Sequence, residues 1–107
     1  MAADLAENKV ELTGKVSRTN RLKYTPTGTP VLEFTIAVPQ ALFEKGSVGY
    51  FQAQLFGRPA EESAHTMKIG KLVKVTGSLW TRTFKDRNGR QVEETKILAS
   101  SVQEETK

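Results

Sequence analysis

Apolar and polar residues alternate along most of this chain, which is the pattern of strands with one buried face. The first alternating stretch begins at Asn8, and Val10, Leu12 and Val16 form its apolar parity. Gly14 continues that parity and predicts a bulge or a bend in the strand. Four further alternating or β-branched stretches cover residues 31–38, 50–56, 72–84 and 91–102.

Turn-forming residues separate these stretches. Pro26 and Gly28 lie in a short segment between the first two stretches and predict a tight turn. Asn88-Gly89 predicts a hairpin between the last two. Pro59 stands where a first helical turn tolerates proline, and Gly70 is placed to end a helix, so residues 57–70 predict a short helical segment.

The order of these elements is typical of one fold class. It runs strand, turn, strand, loop, strand, helix, strand, hairpin, strand. The sequence therefore predicts an all-β fold, a five-stranded Greek-key barrel of the oligonucleotide-binding (OB) type, with one short helix between strands three and four. The 107 residues suffice for one domain. We expect a flexible leader at 1–7, the OB-fold domain at 8–103 and a polar tail at 104–107.

The composition excludes several kinds of chemistry. There is no cysteine, and His65 is the single histidine, so the sequence predicts no metal site and no cofactor. No nucleophile is paired with a base, which predicts a protein that is not an enzyme. The start of the chain lacks the features of a signal peptide, so we expect a cytoplasmic protein. The net charge of +4 suits a polyanionic partner.

Strand parity predicts which side chains face outward. On the fourth strand, one parity is apolar or small and is expected inside: Val73, Val75, Gly77, Leu79, Thr81 and Thr83. The opposite parity is expected outside: Lys74, Thr76, Ser78, Trp80, Arg82 and Phe84. On the third strand, Phe51, Ala53 and Leu55 are expected inside. The outward set of that strand is Tyr50, Gln52, Gln54 and Phe56.

Large rings among basic and amide groups are typical of surfaces that stack unpaired bases. A single outward ring could equally pack under a loop or against another subunit. Four of them on two strands, with Arg82 and Lys74 interleaved, favour a nucleic-acid surface. We expect phosphates to be neutralised by a set of basic residues: Lys9, Lys15, Arg21, Lys23, Lys74, Arg82, Lys85 and Arg87.

Several segments resemble bacterial single-stranded DNA-binding proteins, in the same order and with similar spacing. The resemblance spans residues 8–102 and rests on Asn8-Lys9-Val10-Glu11-Leu12-Thr13-Gly14, on residues 24–31 and 34–38, on Leu55-Phe56-Gly57-Arg58, on Ala60-Glu61, and on residues 73–79 with Thr81-Arg82. It implies an OB fold, a homo-oligomer that is most often a tetramer, and sequence-independent binding of single-stranded DNA in replication, recombination or repair. That role places the protein at the nucleoid.

The resemblance also implies where bases stack. The family's aromatic positions match Tyr50, Phe56 and Phe84, with one more in the loop after the second strand. There the match is Phe43, chosen over its neighbour Leu42. Trp80 lies where the family often has a polar or basic residue, so its assignment rests on strand parity.

One departure leaves alternatives open. Family members usually continue into a long tail with an acidic tip, and this sequence stops at Lys107 without one. A shortened chain, a short plasmid, phage or accessory member, and a relative of the dimeric primosomal replication protein PriB all fit. The last would make the protein an adaptor that binds DNA and a replication-restart helicase. An RNA-binding module of the same fold is a further alternative.

Overall fold

The computed structural model describes residues 6–40 and 46–105. Six strands and one helix lie in these ranges: β1 (Val10–Thr19), β2 (Lys23–Tyr24), β3 (Pro30–Pro39), β4 (Val48–Phe56), α1 (Arg58–Ala64), β5 (Leu72–Lys85) and β6 (Gln91–Glu104). The five long strands match the five alternating stretches of the sequence. Within the described ranges, no helix is long and apolar enough to span a bilayer.

The strands close into a ring. β1 pairs with β5 on one side and with β3 on the other, and β6 and β4 complete the circle. Neighbours in the ring are antiparallel except β4 and β6, which run parallel and pair at Ala53↔Ile97 and Gln54↔Leu98. This connectivity, with one helix between β4 and β5, confirms the predicted OB fold.

The two-residue strand β2 was not predicted. Lys23 and Tyr24 pair with Val31 and Pro30, so β2 only extends the hairpin at the start of β3. Two residues are too few to show an alternating pattern. The turn itself is as predicted, with the Thr25 amide donating to the Thr29 carbonyl at 2.9 Å and Gly28 at a φ of 94°.

The barrel interior is apolar, and α1 packs against it. The buried residues come from β1, β3, β4, α1, β5, β6 and the loop after the helix: Val16, Leu32, Phe34, Ile36, Ala53, Leu55, Ala60, Met67, Val73, Val75 and Ile97. The inward parity predicted for the third strand is confirmed, because Phe51 packs against this core and Ala53 and Leu55 lie within it. Burial of these side chains is the main force that closes the ring.

The helix is shorter than predicted, because it ends at Ala64 and not near Gly70. The amides of Thr66 and Met67 both donate to the Ser63 carbonyl, which turns the chain away from the helix axis. Gly70 then donates its amide to the Val16 carbonyl on β1 and adopts a φ of 95°. Tertiary contact with the barrel therefore ends the helix, and Gly70 serves the turn into β5.

Two irregularities bend the barrel, and neither is at Gly14. The β1–β3 register shifts between Val16 and Arg18, and the β5–β6 register shifts between Thr76 and Gly77. Gly14 pairs regularly with Val73. A Cβ on Gly14 would lie 2.4 Å from the Ala37 carbonyl oxygen, so close approach of β3 explains the glycine.

Beyond the pair Leu79↔Ile97, β5 and β6 leave the barrel together as a two-stranded ribbon, here named the β5–β6 ribbon (residues 80–85 and 91–96). The inward parity predicted for Leu79, Thr81 and Thr83 is wrong, because Leu79 is 45% exposed and Thr81 and Thr83 are exposed. β1 pairs with β5 only as far as Gly77, so the side chains of β5 beyond that point are not covered by β1.

The predicted hairpin closes the ribbon. Gly89 has a φ of 79°, and the Asp86 carboxylate accepts hydrogen bonds from the amides of Asn88 and Arg90, both at 2.9 Å. This turn sets the register Lys85↔Gln91 and hence every later pair along the ribbon.

Candidate nucleic-acid interface

One face of the β5–β6 ribbon carries a row of aromatic and basic side chains. Trp80, Arg82 and Phe84 alternate along β5 and therefore share a face. The Arg82 Cζ lies 4.7 Å from the centre of the Phe84 ring and 5.9 Å from the centre of the Trp80 ring. Phe84 is 38% exposed and Trp80 37%, so each ring is partly open to solvent. The structure confirms that these three side chains lie outside the core.

A chain of polar contacts joins this row to the barrel wall. Arg82 Nε donates to Glu94 Oε1 at 2.8 Å. Lys96 Nζ lies 3.8 Å from a carboxylate oxygen of Glu94 and 3.8 Å from one of Glu33 on β3. Glu33 in turn accepts a hydrogen bond from Gln54 on β4. The ribbon face and the outer face of β3 and β4 are therefore one surface, here named the outer surface.

Glu33 is the most strongly hydrogen-bonded carboxylate of the outer surface. The hydrogen bond donated by Gln54 lowers the pKa of Glu33 below its ordinary value of 4.5, while partial burial opposes this effect. The positive charge of Lys96 and a hydrogen bond from Asn20 lower the pKa further. Glu33 is consequently ionised at neutral pH and holds Gln54 and Lys96 in place.

The lowered pKa predicts how stability changes in acid. Between the folded pKa and 4.5 the unfolded chain binds more protons than the folded one, so the free energy of unfolding rises with pH there. The contribution of Glu33 is full above about pH 6 and is lost as pH falls through the folded pKa. We expect wild type to lose stability in acid relative to Glu33→Gln, measured by urea unfolding followed through tryptophan fluorescence. Parallel pH profiles for the two proteins would contradict this.

Beside the row, a groove opens where β4 and β6 diverge. Its volume is about 760 Å³, and its lining includes Tyr50, Gln52, Leu79, Lys96 and Arg18. Tyr50 is 67% exposed, the highest value among the predicted stacking residues that the structure describes. An adjoining depression of about 200 Å³ shares Arg18, Gln52 and Lys96. The groove thus places an exposed ring beside two cations and an amide.

The other predicted stacking positions are further apart. Phe56 lies six residues from Tyr50, at the opposite end of β4, which corresponds to about 20 Å of strand. There it is 43% exposed and shares a row of the sheet with Val31 and Lys23. Phe43 lies outside the described residues.

The predicted phosphate-binding residues divide into separate groups. Arg82, Lys85 and Arg87 lie on the ribbon or its turn, and Lys23 lies in the same row as Phe56. Lys74 is six residues from Trp80 along β5 and pairs with Glu11 at 3.4 Å. Lys15 pairs with Ala37 and so lies in the same row as Tyr50, whereas Lys9 precedes β1 and Arg21 lies between β1 and β2. The structure therefore does not bring all eight predicted cations together on the outer surface.

The model of the single-strand binding protein family matches residues 7–104 of this chain. The chain belongs to that family. Two relatives are single-stranded DNA-binding proteins, from Oceanobacillus iheyensis (37% identical over 99 residues) and from Clostridium acetobutylicum (number 3; 36% over 99 residues). Single-stranded DNA-binding protein 2 of Listeria innocua is 33% identical over 99 residues.

These alignments cover 90% of this chain, but 62% of the Listeria and Oceanobacillus proteins and 69% of the Clostridium protein. The resemblance to bacterial single-stranded DNA-binding proteins is thereby confirmed. Membership of this binding-protein family also confirms the prediction that the domain is not an enzyme. In the described part of the chain, no group of three His, Asp or Glu side chains is arranged to hold a metal ion.

Sequence reasoning did not place two cations of this family domain, Arg18 and Lys96, beside the predicted stacking rings. Lys96 was within reach of the sequence, because counting back from the Asn88-Gly89 turn pairs it with Trp80. The position of Arg18 could not be predicted from the sequence, because Arg18 follows the bulge in β1 that shifts its pairing to Thr35. No residue pattern marks that bulge.

Proposed function

We propose that this domain binds single-stranded DNA without sequence preference and protects it during replication, recombination or repair. The observation that carries the proposal is the exposed row of Trp80, Arg82 and Phe84, continuous with the groove beside Tyr50. Every base presents a flat face that can stack on such rings, at about 1–3 kcal/mol per base. Stacking of this kind does not depend on base identity, which accounts for the absence of sequence preference.

In this proposal the single-stranded DNA runs along the outer surface from Phe56, past Gln54 and Gln52, to Tyr50 and the ribbon. Arg18, Lys23, Lys85 and Arg87 flank this path and neutralise phosphates. Amide side chains between the rings offer both donors and acceptors to base edges. Duplex DNA binds poorly in this scheme, because its bases are already stacked on one another.

The domain acts as a homo-oligomer in this proposal, with a tetramer favoured over a dimer. An apolar depression on the β1 side of the barrel, lined by Gly14, Ala37, Pro39, Val48 and Leu72, supports self-association. Ala37 pairs with Tyr50 across β3 and β4, so this depression borders the outer surface beside that ring. The relatives are named as single-stranded DNA-binding proteins. We place this domain in the cytoplasm, at the nucleoid.

Tryptophan fluorescence tests the proposal directly, because Trp80 is the sole tryptophan. We expect a thymidine oligomer to quench this fluorescence at low salt. With about four phosphates neutralised and a slope of about −0.7 per phosphate, the affinity should fall by roughly 50-fold between 50 and 200 mM salt. Anisotropy of a labelled oligomer measures binding independently of the tryptophan.

Three comparisons show which nucleic acid binds and whether it binds at Trp80: duplex against single strand, anisotropy against quenching, and an RNA oligomer against the DNA oligomer. A duplex of equal length should bind much more weakly than the single strand. Binding detected by anisotropy without quenching would mean that the DNA does not contact Trp80. Equal or tighter binding of the RNA oligomer would favour an RNA-binding module, and binding of neither nucleic acid would favour an adaptor for a replication-restart helicase.

A further inference from the structure

The cation at the centre of the ribbon face is already engaged in the unbound protein. Arg82 donates to Glu94 and lies against the Phe84 and Trp80 rings at 4.7 and 5.9 Å. The same guanidinium is therefore hydrogen-bonded to a carboxylate and also covers part of two ring faces. A phosphate that binds Arg82, or a base that stacks on the covered ring faces, must displace it.

The ion pair is exposed enough to exchange. The Arg82 side chain is 52% exposed and the Glu94 side chain 28% exposed. Pairs of this kind are worth little in water, so a phosphate of equal charge competes for the guanidinium on similar terms. Holding Arg82 beside Glu94 thus costs DNA affinity without contributing much to folding.

Lys96 makes the exchange feasible. Its side chain is only 17% exposed, and its Nζ lies 3.8 Å from carboxylate oxygens of both Glu94 and Glu33. If Arg82 leaves, Glu94 still faces Lys96 and is not left without a counter-charge. The charged groups around Glu94 are thus Arg82 on β5, Lys96 on its own strand and, beyond Lys96, Glu33 on β3.

We propose that Glu94 is a positioning residue that holds Arg82 on the ribbon and competes with DNA phosphate for it. Glu94 then lowers the affinity for single-stranded DNA and keeps one cation out of the phosphate-binding set. This inference rests on the proposed function, because the competitor it invokes is the DNA backbone. It assigns a role to an acidic residue that lies in the middle of a surface proposed to bind a polyanion.

The neighbouring residue supplies a matched control. Glu94→Gln removes the charge and keeps the size of the side chain. Glu93→Gln removes one charge from the adjacent position, which is exposed and pairs with Thr83 on the opposite face of the ribbon. Long-range repulsion of DNA changes similarly in both variants, so the difference between them reports the contacts of Glu94 with Arg82 and Lys96.

The measurement is anisotropy of a labelled thymidine oligomer across a salt series, with wild type and both variants. We expect Glu94→Gln to bind about two- to fivefold more tightly than Glu93→Gln, the range of an exposed ion pair. The slope of log affinity against log salt should steepen by about 0.7, which corresponds to one more neutralised phosphate. Thermal unfolding checks that both variants are folded, and a merely structural role for Glu94 would leave the slope unchanged.

The outcomes separate the inference from the function on which it rests. Wild type that binds, with equal affinities and slopes for the two variants, would overturn the role of Glu94 alone. Weaker binding by Glu94→Gln than by Glu93→Gln would overturn it too, since Glu94 would then help Arg82 to bind. Wild type that does not bind the oligomer at low salt would overturn the proposed function and this inference together.

Discussion

Replacing Tyr50 and Trp80 together by alanine is expected to weaken binding of single-stranded DNA by about 30-fold or more, because each stacked base contributes about 1–3 kcal/mol. The two rings lie on different strands, at the groove and on the ribbon row. Both are exposed, Tyr50 by 67% and Trp80 by 37%, so their removal leaves the core intact. The double variant lacks tryptophan, and binding is therefore measured by anisotropy of a labelled oligomer.

Ile69→Ala is the control for this prediction. Ile69 is 70% exposed and lies in the loop between α1 and β5, apart from the groove and the ribbon. We expect it to bind DNA like wild type. A double variant that also stays within about threefold of wild type would place base stacking somewhere other than on these two rings.

Replacing Gly77 by alanine is expected to destabilise the fold by about 3 kcal/mol, the upper range for overpacking a tight site. A Cβ at this position would lie 2.1 Å from the Leu98 carbonyl oxygen and 2.8 Å from the Ala99 Cα. Both are backbone atoms of β6 beside the register shift, so a side-chain movement cannot relieve the clash. Thermal or urea unfolding measures the loss, expected to lower the melting temperature by more than about 10 °C.

Gly49→Ala supplies a comparison with the same chemical change. A Cβ on Gly49 would meet only the end of the Gln40 side chain, the nearest atom at 2.7 Å, and that side chain can move away. We therefore expect a loss well below that of Gly77→Ala. Equal losses would mean that alanine is unfavourable in these strands for a reason other than contact with Leu98.

The sequence predicted the barrel because its strands carry the alternating pattern and its turns carry the residues that turns require. The parity of Phe51, Ala53 and Leu55 on β4 was right because that strand lies against the barrel interior along most of its length. On β5 the same reasoning worked for Val73 and Val75 and failed for Leu79. Parity separates two faces, but it does not say where the interior ends.

The candidate site was predicted in part for a similar reason. Trp80, Arg82 and Phe84 were found by their shared face, which is a local property of one strand. The contact between Arg82 and Glu94 depends on register, and the contact between Lys96 and Glu33 depends on closure of the ring. Such tertiary contacts leave no mark in a single segment of sequence. They explain why the sequence assigns Glu94 no role beyond that of a solvated surface residue.

The short parallel contact between β4 and β6 determines where the barrel can open. In the described ranges these strands pair at two positions, whereas β3 and β4 pair at nine. Local fluctuations first break the contact of the ring that has the fewest backbone hydrogen bonds. The amide protons along the β4–β6 contact, here named the seam, therefore exchange with solvent at a lower free energy of opening than those of the antiparallel hairpins. Parting the seam widens the groove beside Tyr50 while the β3–β4 and β5–β6 hairpins stay whole. The barrel is therefore weakest beside the groove in which we propose that single-stranded DNA binds.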